Sequence, residues 1–141
     1  MVLCLLNGKY RNCPKIYTDA SKNNSQCGIG IYIETGNRRL AWKLKHETSI
    51  MTAEVIAINM AIKEILKTDL RDAVILTDSL SSCMVLENSQ RNEWRSGMVN
   101  EILQACLLRN ITIQWIPSHI ELEGNDIADS LAKKEQNNLA K

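Results

Sequence analysis

The stretch KIYTDASKNNSQCGIGIYIETGNRRLAWKL, residues 15–44, decides the fold class of this 141-residue chain. Three short segments rich in Ile, Tyr, Trp and Leu, at 15–18, 28–33 and 40–44, are separated by Asn, Ser and Gly residues. This pattern predicts three successive strands in an antiparallel meander. The pair Gly36-Asn37 predicts the turn between the second and third strands.

The sequence after the meander alternates between helical and strand patterns. Apolar residues at helical spacing predict a helix over 52–66, with Thr48 or Ser49 as its N-cap. The later segments predict a strand at 73–77, a helix at 79–87, a helix at about 96–108 capped by Ser96, a strand at 111–116 and a helix at 125–134. This order predicts an α/β fold, in which a five-stranded mixed sheet of three antiparallel and then two parallel strands is flanked by helices.

Composition limits the class of protein further. Hydrophobic residues make up 45% of the chain, which is enough to bury the core of one domain, and the formal net charge of +1 neither indicates nor excludes nucleic-acid binding. The apolar run at 2–6 is too short for a signal peptide or a membrane span, and five cysteines without a C-x-x-C pair predict reduced thiols. We therefore expect an intracellular protein of the cytoplasm or nucleus without membrane contact. Its expected parts are an N-terminal arm at 1–14, one domain at 15–136 and a C-terminal tail at 137–141.

Two of the predicted strands end in the same way. Ile16-Tyr17-Thr18-Asp19 and Ile75-Leu76-Thr77-Asp78 both run from apolar residues through threonine to aspartate. Aspartate is a poor strand former, and α/β proteins hold their sites at the ends of strands. Taken singly, Asp19 would start a turn and Asp78 would cap the next helix. Together they predict two carboxylates side by side on adjacent strands.

Further acidic residues can join this pair. Glu54 supplies a third carboxylate, although a glutamate in a first helical turn is commonly only a partner of the helix dipole. The fourth is Asp126 or Asp129, for which capping after Asn125 is the alternative explanation. Clustered carboxylates repel one another unless a cation neutralises them, and an all-oxygen site favours Mg²⁺ or Mn²⁺ over zinc. Two such ions would suit phosphodiester hydrolysis. His119, in the loop before the last helix, is either a solvated side chain or a proton shuttle for that site.

Four motifs, in chain order, resemble those of the type 1 ribonuclease H domain. They are Thr18-Asp19-Ala20-Ser21, Thr52-Ala53-Glu54, Leu76-Thr77-Asp78-Ser79, and Trp115-Ile116-Pro117-Ser118-His119 followed by Gly124-Asn125-Asp126-Ile127-Ala128-Asp129-Ser130-Leu131-Ala132. The resemblance covers residues 15–134. It implies the ribonuclease H-like fold and a metal-dependent endonuclease that cuts the RNA strand of an RNA/DNA hybrid, leaving a 3′-hydroxyl and a 5′-phosphate.

The resemblance also implies a role for each site residue. Asp19 would bridge two Mg²⁺ ions, and Glu54 and Asp78 would join it at the ion that stabilises the leaving 3′-oxygen. Asp129, ten residues after His119, would hold the ion that activates water, whereas Asp126 would have a supporting or capping role. His119 would assist proton transfer or product release. The implied substrate contacts are Ala20, Ser21, Ser49, Ser79 and Asn125.

One spacing departs from the cellular members of this family. Only 41 residues separate Asp78 from His119, which is too few for a basic substrate handle. This short spacing resembles that of domains attached to reverse transcriptases. The motifs Thr52-Ala53-Glu54 and Pro117-Ser118-His119 resemble those of the non-LTR retrotransposon type. We therefore expect an RNA/DNA hybrid and other domains of a reverse transcriptase polyprotein as partners, and a monomer when the domain is isolated.

Two other classes of protein remain as alternatives. The first is a catalytically weak nucleic-acid-binding or structural module of a reverse transcriptase. The stretch 89–95, in which only Arg91 and Arg95 are basic, favours this class, and the full set of acids disfavours it. The second is an integrase, transposase or junction resolvase, but the acid spacing of those proteins differs. Divalent-ion binding would separate the enzyme from the first alternative, and strand specificity would separate it from the second.

Overall fold

The computed structural model describes residues 12–90, 97–118 and 122–137. The predicted N-cap Ser96, the candidate shuttle His119, residues 1–11 of the arm and residues 138–141 of the tail lie outside the described residues. Within the described ranges the elements are β1 (Lys15–Lys22), β2 (Cys27–Ile33), β3 (Arg38–Leu44), α1 (Ile50–Leu66), β4 (Val74–Thr77), α2 (Leu80–Ser89), α3 (Gly97–Arg109), β5 (Thr112–Trp115) and α4 (Glu123–Asn137).

The strands form one five-stranded sheet in the order β3-β2-β1-β4-β5. Strands β1, β2 and β3 are antiparallel neighbours, whereas β4 pairs with β1, and β5 with β4, in parallel. This arrangement confirms the predicted fold class. No helix in the described ranges is long and apolar enough to cross a membrane.

The two faces of the sheet are covered by different helices, because successive strand residues point to opposite faces. On one face, Ile16, Ile31 and Ile75 of the sheet pack with Ile58 of α1 and Ile102 of α3. This cluster is the larger part of the core. On the other face, the cluster lies under α4 and comprises Tyr17, Val74, Leu76, Ile116, Leu122 and Ala128.

A glycine allows α4 to lie directly on β2. Gly30 pairs with Asp19 of β1, and a Cβ atom at Gly30 would overlap the carbonyl oxygen of Ala128 and lie 2.7 Å from the backbone nitrogen of Ala132. Only a residue without a side chain permits this approach. The approach places the middle of α4 beside Asp19.

Two local predictions agree with the structure in detail. Gly36 and Asn37 both have positive φ angles, 81° and 51°, in the turn between β2 and β3. Ser49 is the N-cap of α1, since its side chain accepts a hydrogen bond of 3.1 Å from the backbone N–H of Thr52.

The start of α2 and the end of β1 differ from the predictions. β1 continues to Lys22 instead of ending near 18, because its antiparallel pairing with β2 continues to Lys22 and Cys27 after its parallel pairing with β4 has ended at Thr18 and Thr77. Asp19 therefore lies within a strand and does not start a turn. α2 begins at Leu80 with Ser79 as its N-cap, so Asp78 is not the cap.

The start of α4 also differs from the prediction. This helix begins at Glu123, two residues before the predicted start at 125. Asn125 therefore lies inside the first turn, where it is buried, and does not cap the helix. The acidic residues of α4 consequently do not owe their positions to an Asn125 cap.

Candidate metal centre

The sheet brings Asp19 and Asp78 together at one edge. Thr18 and Thr77 are partners at the end of the parallel pairing of β1 and β4, and each aspartate is the next residue of its chain segment. Helix α1 packs against β1 and brings Glu54 close to these two aspartates. One carboxylate oxygen from each of Asp19, Glu54 and Asp78 lies within 4.8 Å of the others.

Two of the three carboxylates are buried. Asp19 is 6% exposed and Glu54 is 8% exposed, whereas Asp78 is partly exposed and opens the cluster to solvent. The backbone N–H of Ala20 donates to Asp19 Oδ1 at 2.9 Å and also hydrogen bonds to the Glu54 carboxyl group. The backbone of β1 thus helps to hold two of the acids in place.

Burial and mutual repulsion change the ionisation of the cluster. Burial, followed by the charges of Glu54 and Asp78, raises the pKa of Asp19 to about 9, although the Ala20 N–H partly opposes this. Burial and the charge of Asp78 raise the pKa of Glu54 to about 8, against the lowering effect of hydrogen bonds from Ala20 and Ser79. Without a cation, these two groups therefore hold protons at neutral pH.

The donor set fits a hard divalent cation. All three groups offer carboxylate oxygens, which Mg²⁺ and Mn²⁺ prefer. Glu54 Oε1 is buried and has no hydrogen-bond partner within the described part of the chain. A buried oxygen of this kind is costly unless something compensates it, and a cation would do so while neutralising the cluster.

The structure separates the two aspartates of α4. Asp129 shares a hydrogen bond with the carboxyl group of Asp19, and its own side chain is 40% exposed. Asp126 is exposed and lines a different cavity, of about 610 Å³, together with Arg39 and Lys134. Of these two aspartates, Asp129 is the one that extends the acidic cluster.

The proposed substrate contacts lie in different environments. Ser21 is partly buried in β1, Ser49 is exposed at the start of α1, and Asn125 is buried with Oδ1 unpaired among the residues described. Ser79 is buried, and its oxygen accepts the backbone N–H of Ser82. The substrate-binding roles of these residues and of Ala20 stay predictions.

Sequence analysis missed two residues at this site. Lys133 Nζ lies 3.0 Å from Asp129 Oδ2, and this pairing with Asp129 raises the pKa of Lys133. The spacing of four residues between Asp129 and Lys133 on a helix could have predicted this ion pair from the sequence. Ser82 is fully buried, and its Oγ lies 2.7 Å from Ser79 Oγ. Nothing in the sequence distinguishes it from its exposed neighbour Ser81.

Comparison with protein families identifies the group to which this fold and site belong. The family model described as RNase H matches residues 12–137, almost the whole chain. The chain belongs to the RNase H family. This RNase H domain is 33% identical over 133 residues to the Pol polyproteins of equine infectious anemia virus, in strain Wyoming and in isolates 1369 and CL22. The match covers 89% of the domain and 11% of each polyprotein, so the chain spans about a tenth of the length of these relatives.

Solved structures support the same fold for the RNase H domain. The structure of the foamy viral protease-reverse transcriptase in complex with dsDNA matches with a TM-score of 0.73 and 22% identity, over 89% of this chain and 94% of that one. The family model and the Pol polyprotein relatives confirm the RNase H part of the predicted family. The non-LTR retrotransposon type is not confirmed, because the Pol polyprotein relatives are retroviral.

Proposed function

We propose that this RNase H domain is a metal-dependent endoribonuclease that hydrolyses the RNA strand of RNA/DNA hybrids. The observation that carries the proposal is the convergence of Asp19, Glu54 and Asp78, with Asp129 hydrogen bonded to Asp19, at one edge of the sheet. Carboxylates at this density, buried at unfavourable pKa values, are typical of sites that bind divalent cations for phosphoryl chemistry.

The positions of the acids suggest which cation each of them would bind. Two divalent cations, Mg²⁺ or Mn²⁺ as its substitute, would activate the attacking water and stabilise the leaving 3′-oxygen. Asp19 lies close to Glu54 and Asp78 and hydrogen bonds to Asp129, so its carboxylate is the group that could serve both cations. Glu54 and Asp78 would hold the cation at the leaving group, and Asp129 the cation at the water. Hydrolysis in this direction would leave a 3′-hydroxyl and a 5′-phosphate.

We propose Ala20, Ser21, Ser49, Ser79 and Asn125 as the contacts to the substrate. Ala20 and Ser21 follow Asp19 along β1, and Ser49 lies exposed at the start of α1. His119 would assist proton transfer or product release. Because RNA differs from DNA in its 2′-hydroxyls and in the shape of its helix, we expect selection by shape and little sequence preference.

We also propose that the domain works within a larger reverse transcriptase polyprotein. Its relatives are segments of Pol polyproteins, and its net charge of +1 predicts weak, salt-sensitive binding of nucleic acid by the isolated domain. The other domains of the polyprotein would then supply much of the affinity for the RNA/DNA hybrid. The four described cysteines are free thiols, which is compatible with work in the cytoplasm or nucleus, and we expect the isolated domain to be a monomer.

A cleavage assay tests the proposed activity. A hybrid labelled on each strand in turn is incubated at low salt with Mg²⁺ or Mn²⁺, beside single-stranded RNA, duplex RNA and duplex DNA. We expect cutting only in the RNA of the hybrid, and loss of cutting in Asp19→Asn. Asp129→Asn should lose far more activity than the matched control Asp126→Asn, whose side chain faces another cavity.

Other outcomes would reject parts of the proposal. Full turnover by Asp19→Asn would refute the site. Uptake of metal and binding of hybrid without cutting would mean that the isolated domain needs the rest of its polyprotein for activity. Absence of metal uptake would favour a structural or nucleic-acid-binding module. Cutting of duplex DNA would favour the integrase or resolvase class.

A further inference from the structure

A lysine of α4 is paired with the aspartate that this helix adds to the acidic cluster. Lys133 Nζ lies 3.0 Å from Asp129 Oδ2, and the two residues are about one helical turn apart. The next residue, Lys134, lines the cavity that also contains Asp126 and Arg39. Two adjacent lysines thus have different surroundings, and Lys133 is the one that pairs with an acid of the proposed metal centre.

The backbone packing of α4 brings this ion pair close to Asp19. Gly30 pairs with Asp19 in the sheet, and a Cβ atom at Gly30 would lie 2.7 Å from the backbone nitrogen of Ala132, the residue before Lys133. The part of α4 that carries the ion pair therefore packs directly on the strand next to Asp19. In agreement with this, the charges of Asp129 and Asp19 both raise the pKa of Lys133.

The ion pair is exposed enough to open. The side chain of Lys133 is 60% exposed and that of Asp129 is 40% exposed. Water screens an exposed pair of this kind, so its contribution to stability is small and the lysine can leave the carboxylate. A divalent cation that binds the Asp129 carboxylate would be repelled by the lysine ammonium group at such short range. The ammonium group and the cation therefore compete for this carboxylate.

We infer that Lys133 is a positioning residue that sets how tightly the Asp129 side of the metal centre binds its cation, because its ammonium group competes for the Asp129 carboxylate. In the metal-free domain, Lys133 balances the charge of Asp129. A cation can bind at Asp129 only as this ion pair opens. A cation held between Asp19, Glu54 and Asp78 leaves the ion pair in place. The inference rests on the proposed metal-dependent function.

Measuring cation binding tests this competition. Mg²⁺ and, in parallel, Mn²⁺ are titrated calorimetrically into the full chain, freed of metal, and the affinities of the variants are compared. A single and a double positive charge about 6 Å apart in water repel each other by roughly the free energy of a tenfold change in affinity. Because an exposed lysine can partly move away, we expect Lys133→Met to tighten cation binding at Asp129 by about three- to tenfold.

Three further variants make the test specific. Lys134→Met removes the same charge from the adjacent residue, which lines another cavity, so it should leave the affinity unchanged. Lys133→Arg keeps the positive charge and should keep the affinity of the unsubstituted chain. Adding Asp129→Asn to Lys133→Met should remove the strengthened binding, since Lys133 acts through Asp129.

Each other outcome counts against the inference in a recognisable way. Unchanged or weaker binding in Lys133→Met, with or without a lower melting temperature, would overturn the inference and leave the proposed function standing. Equal tightening in Lys134→Met would show an effect of net charge alone, and strengthened binding that survives Asp129→Asn would place the cation elsewhere; either result also overturns it. Absence of Mg²⁺ and Mn²⁺ binding by both the unsubstituted chain and Lys133→Met would overturn both proposals.

Discussion

Replacing Asp19 with asparagine should stabilise the metal-free protein at neutral pH while abolishing its activity. The pKa of Asp19 is about 9 in the folded protein, against 3.8 for an unperturbed aspartate. The folded state therefore binds this proton more tightly than the unfolded chain does. The contribution of Asp19 to the free energy of unfolding is most favourable below pH 3.8, and it is lost progressively as the pH rises toward 9.

The size of the effect follows from that pH interval. Each pH unit above the unfolded pKa lowers the free energy of unfolding by about 1.4 kcal/mol, as long as the folded group stays protonated. Between pH 3.8 and pH 7 this loss reaches at most about 4 kcal/mol. Asparagine cannot ionise, and its amide can still donate to Asp129. We expect Asp19→Asn to raise the free energy of unfolding at pH 7 by about 2 to 4 kcal/mol, or the melting temperature by roughly 5 to 10 °C in a domain of this size.

Denaturation followed by circular dichroism in the presence of a chelator measures this change. The stabilisation should be small at pH 5 and should grow by at least about 2 kcal/mol at pH 8. Asp126→Asn makes the same chemical change at an exposed position and should have little effect at either pH. A destabilised Asp19→Asn variant at pH 7, or a stabilisation independent of pH, would refute the reasoning. Saturating Mg²⁺ should reverse the order, because only the unsubstituted protein gains binding energy from the cation.

Three other changes test separate parts of the structure. Gly30→Ala should lower the free energy of unfolding by about 3 kcal/mol or more, because its methyl group would overlap the backbone of α4; urea denaturation should show no such loss in Gly97→Ala, where nothing lies within 4 Å. Mg²⁺ binding at pH 7 should release the protons held by Asp19 and Glu54, so apparent affinity should rise with pH toward 8 to 9. Calorimetry in buffers of different ionisation enthalpy counts these protons, and a count of zero would contradict the raised pKa values. His119→Ala should slow hybrid cleavage without ending it, as single-turnover rates would show; complete loss would mean that this histidine does more than transfer protons.

Most of the fold could be predicted because its signals are local. The three N-terminal segments are rich in Ile, Tyr, Trp and Leu between turn residues, and residues 52–66 carry apolar side chains at helical spacing. Each pattern indicates the backbone conformation of its own segment. Asp19 and Asp78 were predicted to be neighbours because both follow the same apolar-threonine pattern. The parallel pairing of Thr18 with Thr77 is the reason why that prediction agrees with the structure.

Tertiary contacts decided where the elements end. Residues 19–22 are poor strand formers by composition, yet β1 continues through them because β2 supplies hydrogen-bond partners as far as Cys27. In the same way, three consecutive polar residues precede α2, and only the folded backbone shows that Ser79, and not Asp78, caps the helix. Local propensity is therefore too weak to predict the end of β1 or the start of α2 to the residue.

The sequence by itself determined the fold class, the family and the identity of the acidic residues, because these depend on residue type and spacing along the chain. Only the tertiary structure decided how closely these acids approach one another, how far each is buried and how they ionise. Asp126 and Asp129 are both helical aspartates, but the contact of α4 with Gly30 places Asp129 beside Asp19 and leaves Asp126 exposed. Burial and mutual repulsion, which raise the pKa values of Asp19 and Glu54, exist only once distant segments have come together.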